Sequence, residues 1–223
     1  MSSVIAVIGA AFFVSTLCVG LVLRQARRKS WFDHHDERKI HSGQVPRLGG
    51  IGFSTAFIAV AVGIAFMHPQ GGYGLRFIPV LLAMPLILGF GVVDYFKVLQ
   101  PRVKLLVQSI AAVLVLSGNY TFHRVGFSVI GFNWEFGLLK YPITFLWIVG
   151  VTNALNLIDG VDGLAGGVAA LAALTYAALF AAIGNTVAAS LCLALAGAVA
   201  GFLAFNLPLP KAKIFMGDGG SQF

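Results

Sequence analysis

Residues with the means to do chemistry gather first in NALNLIDGVDGLAGG, Asn153 to Gly167, which sets two carboxamides and two carboxylates between long apolar runs. An ionisable side chain at the centre of a membrane span costs about 2.5–3.5 kcal/mol on insertion scales, so acids beside such runs need a reason. Asn153 and Asn156, three apart, fall on adjacent turns of one helix end. Asp159-Gly160 reads as a break, and Asp162 as the cap of a helix starting at Gly163. A polar turn with one cap accounts for any one of these four residues but poorly for all of them, since a cap needs a single Asp.

Three other stretches carry similar chemistry. RKSWFDHHDERKIHSGQVPRLGG offers Lys39, His41 and Arg47 as phosphate ligands, and Gly49-Gly50 after them permit close approach of another group. Headgroup anchoring is the plain alternative for its basic residues, and a metal site on His34, His35 and His41 finds little support, because loop histidines are usually just solvated. GVVDYFKVLQPRVKLLVQ places Asp94 at a span end with Lys97, Arg102 and Lys104 after it. KIFMGDGGS sets Asp218 among glycines that would let backbone N–H groups and a carboxylate approach a phosphate or its metal, with a tight turn as the plain alternative. It is not a Walker A loop.

Positioning these residues falls to membrane helices. The 223 residues are 58% hydrophobic and 10% charged, with a mean hydropathy of +0.90, which excludes a soluble enzyme. Seven runs approach the roughly 20 helical residues that cross a bilayer core: Val4–Leu23, Leu48–Met67, Phe77–Val93, Val103–Ser117, Pro142–Ile158, Leu164–Ile183 and Thr186–Asn206, the fourth being short. They are continuously apolar, so helices and not a barrel follow: an all-α polytopic membrane protein. Thr121 to Leu138 alternates apolar and polar around two glycines and reads as a small hairpin on the opposite surface. The Gly197/Gly201 pair has the spacing of a helix-packing motif.

Charge orients the chain. With the N-terminus outside, twelve of the 15 Lys and Arg fall in cytoplasmic gaps and three outside, as the positive-inside rule requires. The net charge of +7 then reflects topology and anionic headgroups, and no nucleic-acid partner is expected. Seven of the eight acids lie on the cytoplasmic side. Cys18 and Cys192 sit inside apolar runs and suit neither a disulfide nor zinc. Carboxylates at helix ends bind a hard divalent cation, and cationic loops suit a polyanionic substrate. The reaction class derived is phosphoryl transfer at a cytoplasmic membrane face, between a soluble nucleotide diphosphate and a lipid phosphate.

Together the four stretches resemble the polyprenyl-phosphate N-acetylhexosamine-1-phosphate transferase family, over essentially the whole chain. The resemblance implies transfer of a sugar 1-phosphate from a UDP-sugar, with UDP-N-acetylglucosamine the favoured donor, to undecaprenyl phosphate, with release of UMP, as a first membrane step of a cell-envelope glycan pathway in the bacterial inner membrane. It implies Mg2+, with Mn2+ as an alternative, on Asp218. It gives Asn156, Asp159 and Asp162 to the nucleotide sugar and the ordering of the site, and Asp94 to the lipid phosphate as base or positioning acid. Lys39, His41, Arg47, Lys104 and Asn153 fall to substrate binding. Partners implied are UDP-sugar, undecaprenyl phosphate and membrane lipid, with the oligomeric state open and a homodimer one arrangement. Direct attack by the lipid phosphate is favoured over a covalent enzyme intermediate, which stays open. Three departures stand out: Tyr95 where the family has a second Asp, His35 where it usually has Pro, and an end at Phe223. The last leads to the expectation of a single membrane domain, 1–223, lacking the family's later spans and His-rich loop, and to a truncated or inactive remnant as the alternative function.

Overall fold

The apolar runs fold as helices because a backbone in lipid must satisfy its own hydrogen bonds. The computed structural model describes residues 2–31, 45–67, 74–127, 130–207 and 211–223. The long helices are α1 (Ser2–Arg28), α2 (Gly49–Met67), α3 (Gly74–Lys97), α4 (Pro101–Ser117), α5 (Lys140–Ile158), α6 (Leu164–Ala182) and α7 (Thr186–Asn206), and a single turn, α8 (Asp218–Ser221), follows. Each expected run is a helix, extended by several residues at the ends of α1 and α3. Six are long and apolar enough to cross a membrane, and α4, with 17 residues, is the short one, as its sequence indicates. Pro79 and Pro85 lie inside α3, where lipid-facing helices tolerate them.

Between α4 and α5 the alternating stretch forms an antiparallel hairpin, β1 (Arg124–Phe127) and β2 (Phe132–Glu135), with Arg124 opposite Glu135 and Val125 opposite Trp134. Its base is tied to α5 by the Phe122 N–H, which donates to Thr144 Oγ1 at 2.9 Å.

Short links make α3 and α4, α5 and α6, and α6 and α7 antiparallel neighbours. The hairpin therefore lies at one end of the bundle, and the opposite end collects the end of α1, the start of α2, the α3–α4 and α5–α6 turns, the end of α7 and residues 211–223. The core is built on α7, which packs most extensively on α1 and α6 and also on α2. Small residues allow the approach. A Cβ at Gly197 would meet the Ile8 carbonyl of α1, and one at Gly201 the Phe12 carbonyl, so the small-residue spacing in α7 does pack helices. The Ser15 hydroxyl, fully buried, donates to the Ala198 carbonyl at 2.5 Å.

Residues 211–223 return into this bundle and are held by main chain. Phe215 N–H donates to the Pro46 carbonyl at 2.9 Å, and the N–H groups of Gly49 and Gly50 donate to the carbonyls of Phe215 and Met216 at 2.9 and 2.8 Å. Ile214 and Met216 are buried, and Phe223 stands edge-on to Phe53 and Phe57. At α8 the contact is backbone to backbone: a Cβ at Gly50 would overlap Gly220, and one at Gly91 would overlap Gly219.

This contact yields a stability prediction. Gly91→Ala must push α8 off α3 and should cost about 1–3 kcal/mol, the usual range for overpacking. Gly89→Ala, whose added methyl meets nothing, should leave stability level or slightly improved. Thermal unfolding of both variants in detergent measures the difference, and equal stability would contradict the described seating of α8.

Candidate functional site

At the end of α3, Asp94 is buried. The three-residue turn to α4 fixes its carboxylate. Val98 adopts φ +45°, an uncommon conformation for a β-branched residue, and the next N–H, of Leu99, donates to Asp94 Oδ1 at 2.8 Å. Oδ2 is left facing Lys104, in the first turn of α4, at 2.7 Å. The same ammonium lies 2.5 Å from Asp218 Oδ2 at the start of α8.

Gly217, at φ +72° with its α-carbon against the Arg47 carbonyl, turns the chain into α8. Burial works to raise the Asp218 carboxyl, but the hydrogen bond and charge of Lys104 outweigh it and hold the group below its ordinary range. Gln222 Nε2 reaches Asp218 Oδ2 at 3.4 Å, and Asn156 lies beside the same carboxylate while donating to Ser221 Oγ at 2.8 Å.

Asp159 ends α5 as the sequence break indicates, and accepts from the Gly217 N–H. Burial pushes its carboxyl up from 3.8 to about 7; the Gly217 bond and the Arg47 charge oppose the rise, and Asp218 and Asp162 add to it.

The structure thus brings together Asp94, Lys104, Asn156, Asp159, Asp218 and Arg47, with half-buried Asp162 at their edge. Asn153 is elsewhere. Its amide donates to Gln108 Oε1 at 2.7 Å, one turn further along α4 than Lys104. Lys39 and His41, with His34 and His35, lie outside the described residues.

Two expectations need correction. Asp162 is not a helix cap: α6 starts at Leu164, its cap position is Gly163 at φ +75°, and no side chain caps it. The Gly163 N–H instead donates to Asn206 Oδ1 at 2.8 Å. The last two N–H groups of the GDGGS turn face the chain and not a ligand. Gly219 and Gly220 are buried against α2 and α3, and the N–H groups of Gly220 and Ser221 are spent on the Gly217 carbonyl.

Asn206 is the residue sequence reasoning missed. It is buried at the end of α7, and its Nδ2 donates to the Ile214 carbonyl at 3.0 Å, so one carboxamide ties the α5–α6 turn to the extended segment leading into Asp218. Its only signal was a lone Asn closing an apolar run. Gln108, buried on α4, was also missed, as a lone amide inside an apolar run.

The chain is similar in sequence to proteins of known description. Over 218 residues, 96% of this chain and 59% of the relative, the sequence is 35% identical to a protein described as a probable undecaprenyl-phosphate N-acetylglucosaminyl 1-phosphate transferase of Bacillus subtilis (strain 168). It is 38% identical over 195 residues to a phospho-N-acetylmuramoyl-pentapeptide-transferase of Heliobacterium modesticaldum, covering 79% of this chain and 56% of the relative. Identity to the enzyme of the same name from Staphylococcus aureus (strain MSSA476) is 30% over 194 residues, 79% of this chain and 58% of the relative. The chain spans somewhat more than half the length of these relatives. Residues 77–223, which carry Asp94, Lys104, Asn156, Asp159, Asp162 and Asp218, match glycosyl transferase family 4, and the chain belongs to that family.

Proposed function

We propose that the chain carries the site of an enzyme that transfers N-acetylglucosamine 1-phosphate from UDP-N-acetylglucosamine to undecaprenyl phosphate, releasing UMP, at the cytoplasmic face of the bacterial inner membrane. The observation that carries the reading is the convergence of Asp94 and Asp218, from helices far apart in sequence, on one cationic point at a bundle end also bearing Asn156, Asp159 and Arg47. The names of the Bacillus subtilis and Heliobacterium modesticaldum relatives support this class of reaction.

The donor set suits Mg2+. Among the described residues no three His, Cys, Asp or Glu side chains gather on one point, but two carboxylates do, and Mg2+ characteristically takes one or two carboxylates with substrate phosphates and waters. Asp218 and Asp94 would hold it. When bound, it would offset charge on the diphosphate and on the departing UMP.

The remaining steps belong to the chain and its substrates. An oxygen of the lipid phosphate attacks the phosphorus that bears the sugar, the bridging P–O bond breaks, and UMP leaves with the bridging oxygen. The lipid phosphate has its second pKa near ~6 and is mostly dianionic at pH 7, so it needs little help from a base. Asp94, with Oδ1 committed to Leu99, serves better as a positioning acid. Asn156 and Arg47 would orient the donor, and Asp159, with its carboxyl raised to about 7, can hold or release a proton beside it.

Tyr95 favours a second reading, a binding remnant without turnover. Its ring stands edge-on to Phe96, and a phenol carries no charge at pH 7 and is a poor partner for Mg2+.

Sugar-labelled UDP-N-acetylglucosamine, undecaprenyl phosphate and Mg2+ are expected to give labelled lipid and UMP with the purified chain, tested alone and joined to the C-terminal portion of the Bacillus subtilis relative. Asp218→Asn should lower the rate at least about a hundredfold. A signal indifferent to that change would refute the metal assignment, and activity gained only with Tyr95→Asp would make the chain a remnant.

A second outcome concerns pH. Asp159 keeps its proton to about pH 7 in the folded chain against 3.8 for an ordinary carboxyl. Between those values the folded state binds more protons than the unfolded one, so this group favours folding most at the acid end, and that contribution is lost as pH rises through about 7. The free energy of unfolding measured across this window should fall with pH less steeply in Asp159→Asn than in the parent, and identical slopes would contradict the raised pKa.

A further inference from the structure

We propose that Lys104 is a built-in counter-ion: its ammonium occupies the cation position between Asp94 and Asp218, a divalent cation must displace it to bind there, and the displaced ammonium becomes available to the substrate phosphates. The inference rests on the reading that this carboxylate pair takes Mg2+.

Competition follows from which oxygens are used. Asp94 Oδ1 is committed to the Leu99 N–H, so Oδ2 is the atom it can offer a cation, and Lys104 Nζ lies 2.7 Å from it. On Asp218 the ammonium again takes Oδ2, at 2.5 Å. A cation held by both carboxylates would compete with the ammonium at least for Asp94 Oδ2, and a doubly charged ion there would repel an ammonium in contact with it. Without any cation, the two carboxylates would face each other across a half-buried gap, and Lys104 supplies the positive charge between them.

Lysine suits an exchangeable role. Its ammonium is a compact charge on a flexible four-carbon stem, unlike the rigid fork of arginine, and can leave a site by rotation alone. The Lys104 side chain is 27% exposed, so it has somewhere to go, whereas Asp94 at 8% is held by its turn. An ammonium has three donors, and two are engaged here. Expelled beside the bound cation, it would meet a phosphate that the cation also draws in. Cation and phosphate binding would then reinforce each other through one side chain.

The test uses Mn2+ as probe and two readouts other than turnover. The first is Mn2+ affinity of the full chain in detergent, by the loss of the free-ion paramagnetic resonance signal. Lys104→Met should bind Mn2+ at least tenfold more tightly than the parent, and Lys104→Arg no more tightly. The second needs no substitution at Lys104: the rate at which acetic anhydride acylates Lys104 in the parent, followed by peptide mass spectrometry, should rise several-fold when Mn2+ is added, and should not rise in Asp218→Asn. Unchanged or weaker Mn2+ binding by Lys104→Met overturns the proposal. If that variant fails to fold, unchanged or slower acylation in the presence of Mn2+ overturns it. Mn2+ binding that is equal in the parent and Asp218→Asn would instead defeat the metal-site reading itself, and no Mn2+ binding by either the parent or Lys104→Met would defeat both.

Discussion

Carboxyl groups brought side by side at a half-buried helix end call for a compensating positive charge or a shared proton, and at this bundle end Lys104 supplies the charge on which the arrangement depends. Asp94 and Asp218 are 124 positions apart in the chain, and a single ammonium holds them together. The pairing is cheap to form because each partner sits at a helix terminus already ordered for other reasons: Asp94 by its bond to Leu99, Lys104 by the Pro101 start of α4, Asp218 by the turn at Gly217.

Packing beneath the charges makes the pairing possible. Residues 211–223 enter the bundle along the start of α2 and seat α8 where Gly50 and Gly91 leave the main chain bare. Asn206 joins this segment to the α5–α6 turn, so that Asp159 and Asp218 are positioned by one shared framework. Electrostatics and backbone contact are therefore not separate contributions here. Moving α8 by the width of a methyl group would take Asp218 off Lys104.

Much of the fold was legible in the sequence because the apolar runs are long and uninterrupted, and because the hairpin alternates where its neighbours do not. The break at Asp159 and the packing role of Gly197 and Gly201 were legible for similarly local reasons. Of the site, the identities of the acids could be read, since charge beside an apolar run is conspicuous. Their partners could not. That Lys104 bridges two acids, that Asn206 spans the α5–α6 turn and the segment entering α8, and that Asn153 turns away to Gln108 are facts of tertiary contact. Asp162 misled because an Asp before an apolar run imitates a cap; the structure gives the cap position to Gly163 and satisfies its N–H from a distant helix.

The hydrogen bond from Ser15 to Ala198 has a bearing on how such a protein is assembled. It joins residues 183 apart in the chain. At roughly 5–20 residues per second, a ribosome needs about 10–40 s to travel from one to the other. Throughout that interval α1 is made but lacks its main neighbour, and the small-residue surface that receives it has not been synthesised. The α1–α7 face therefore closes only once α7 has been made, well after α1 and α2 have already been able to pack on each other.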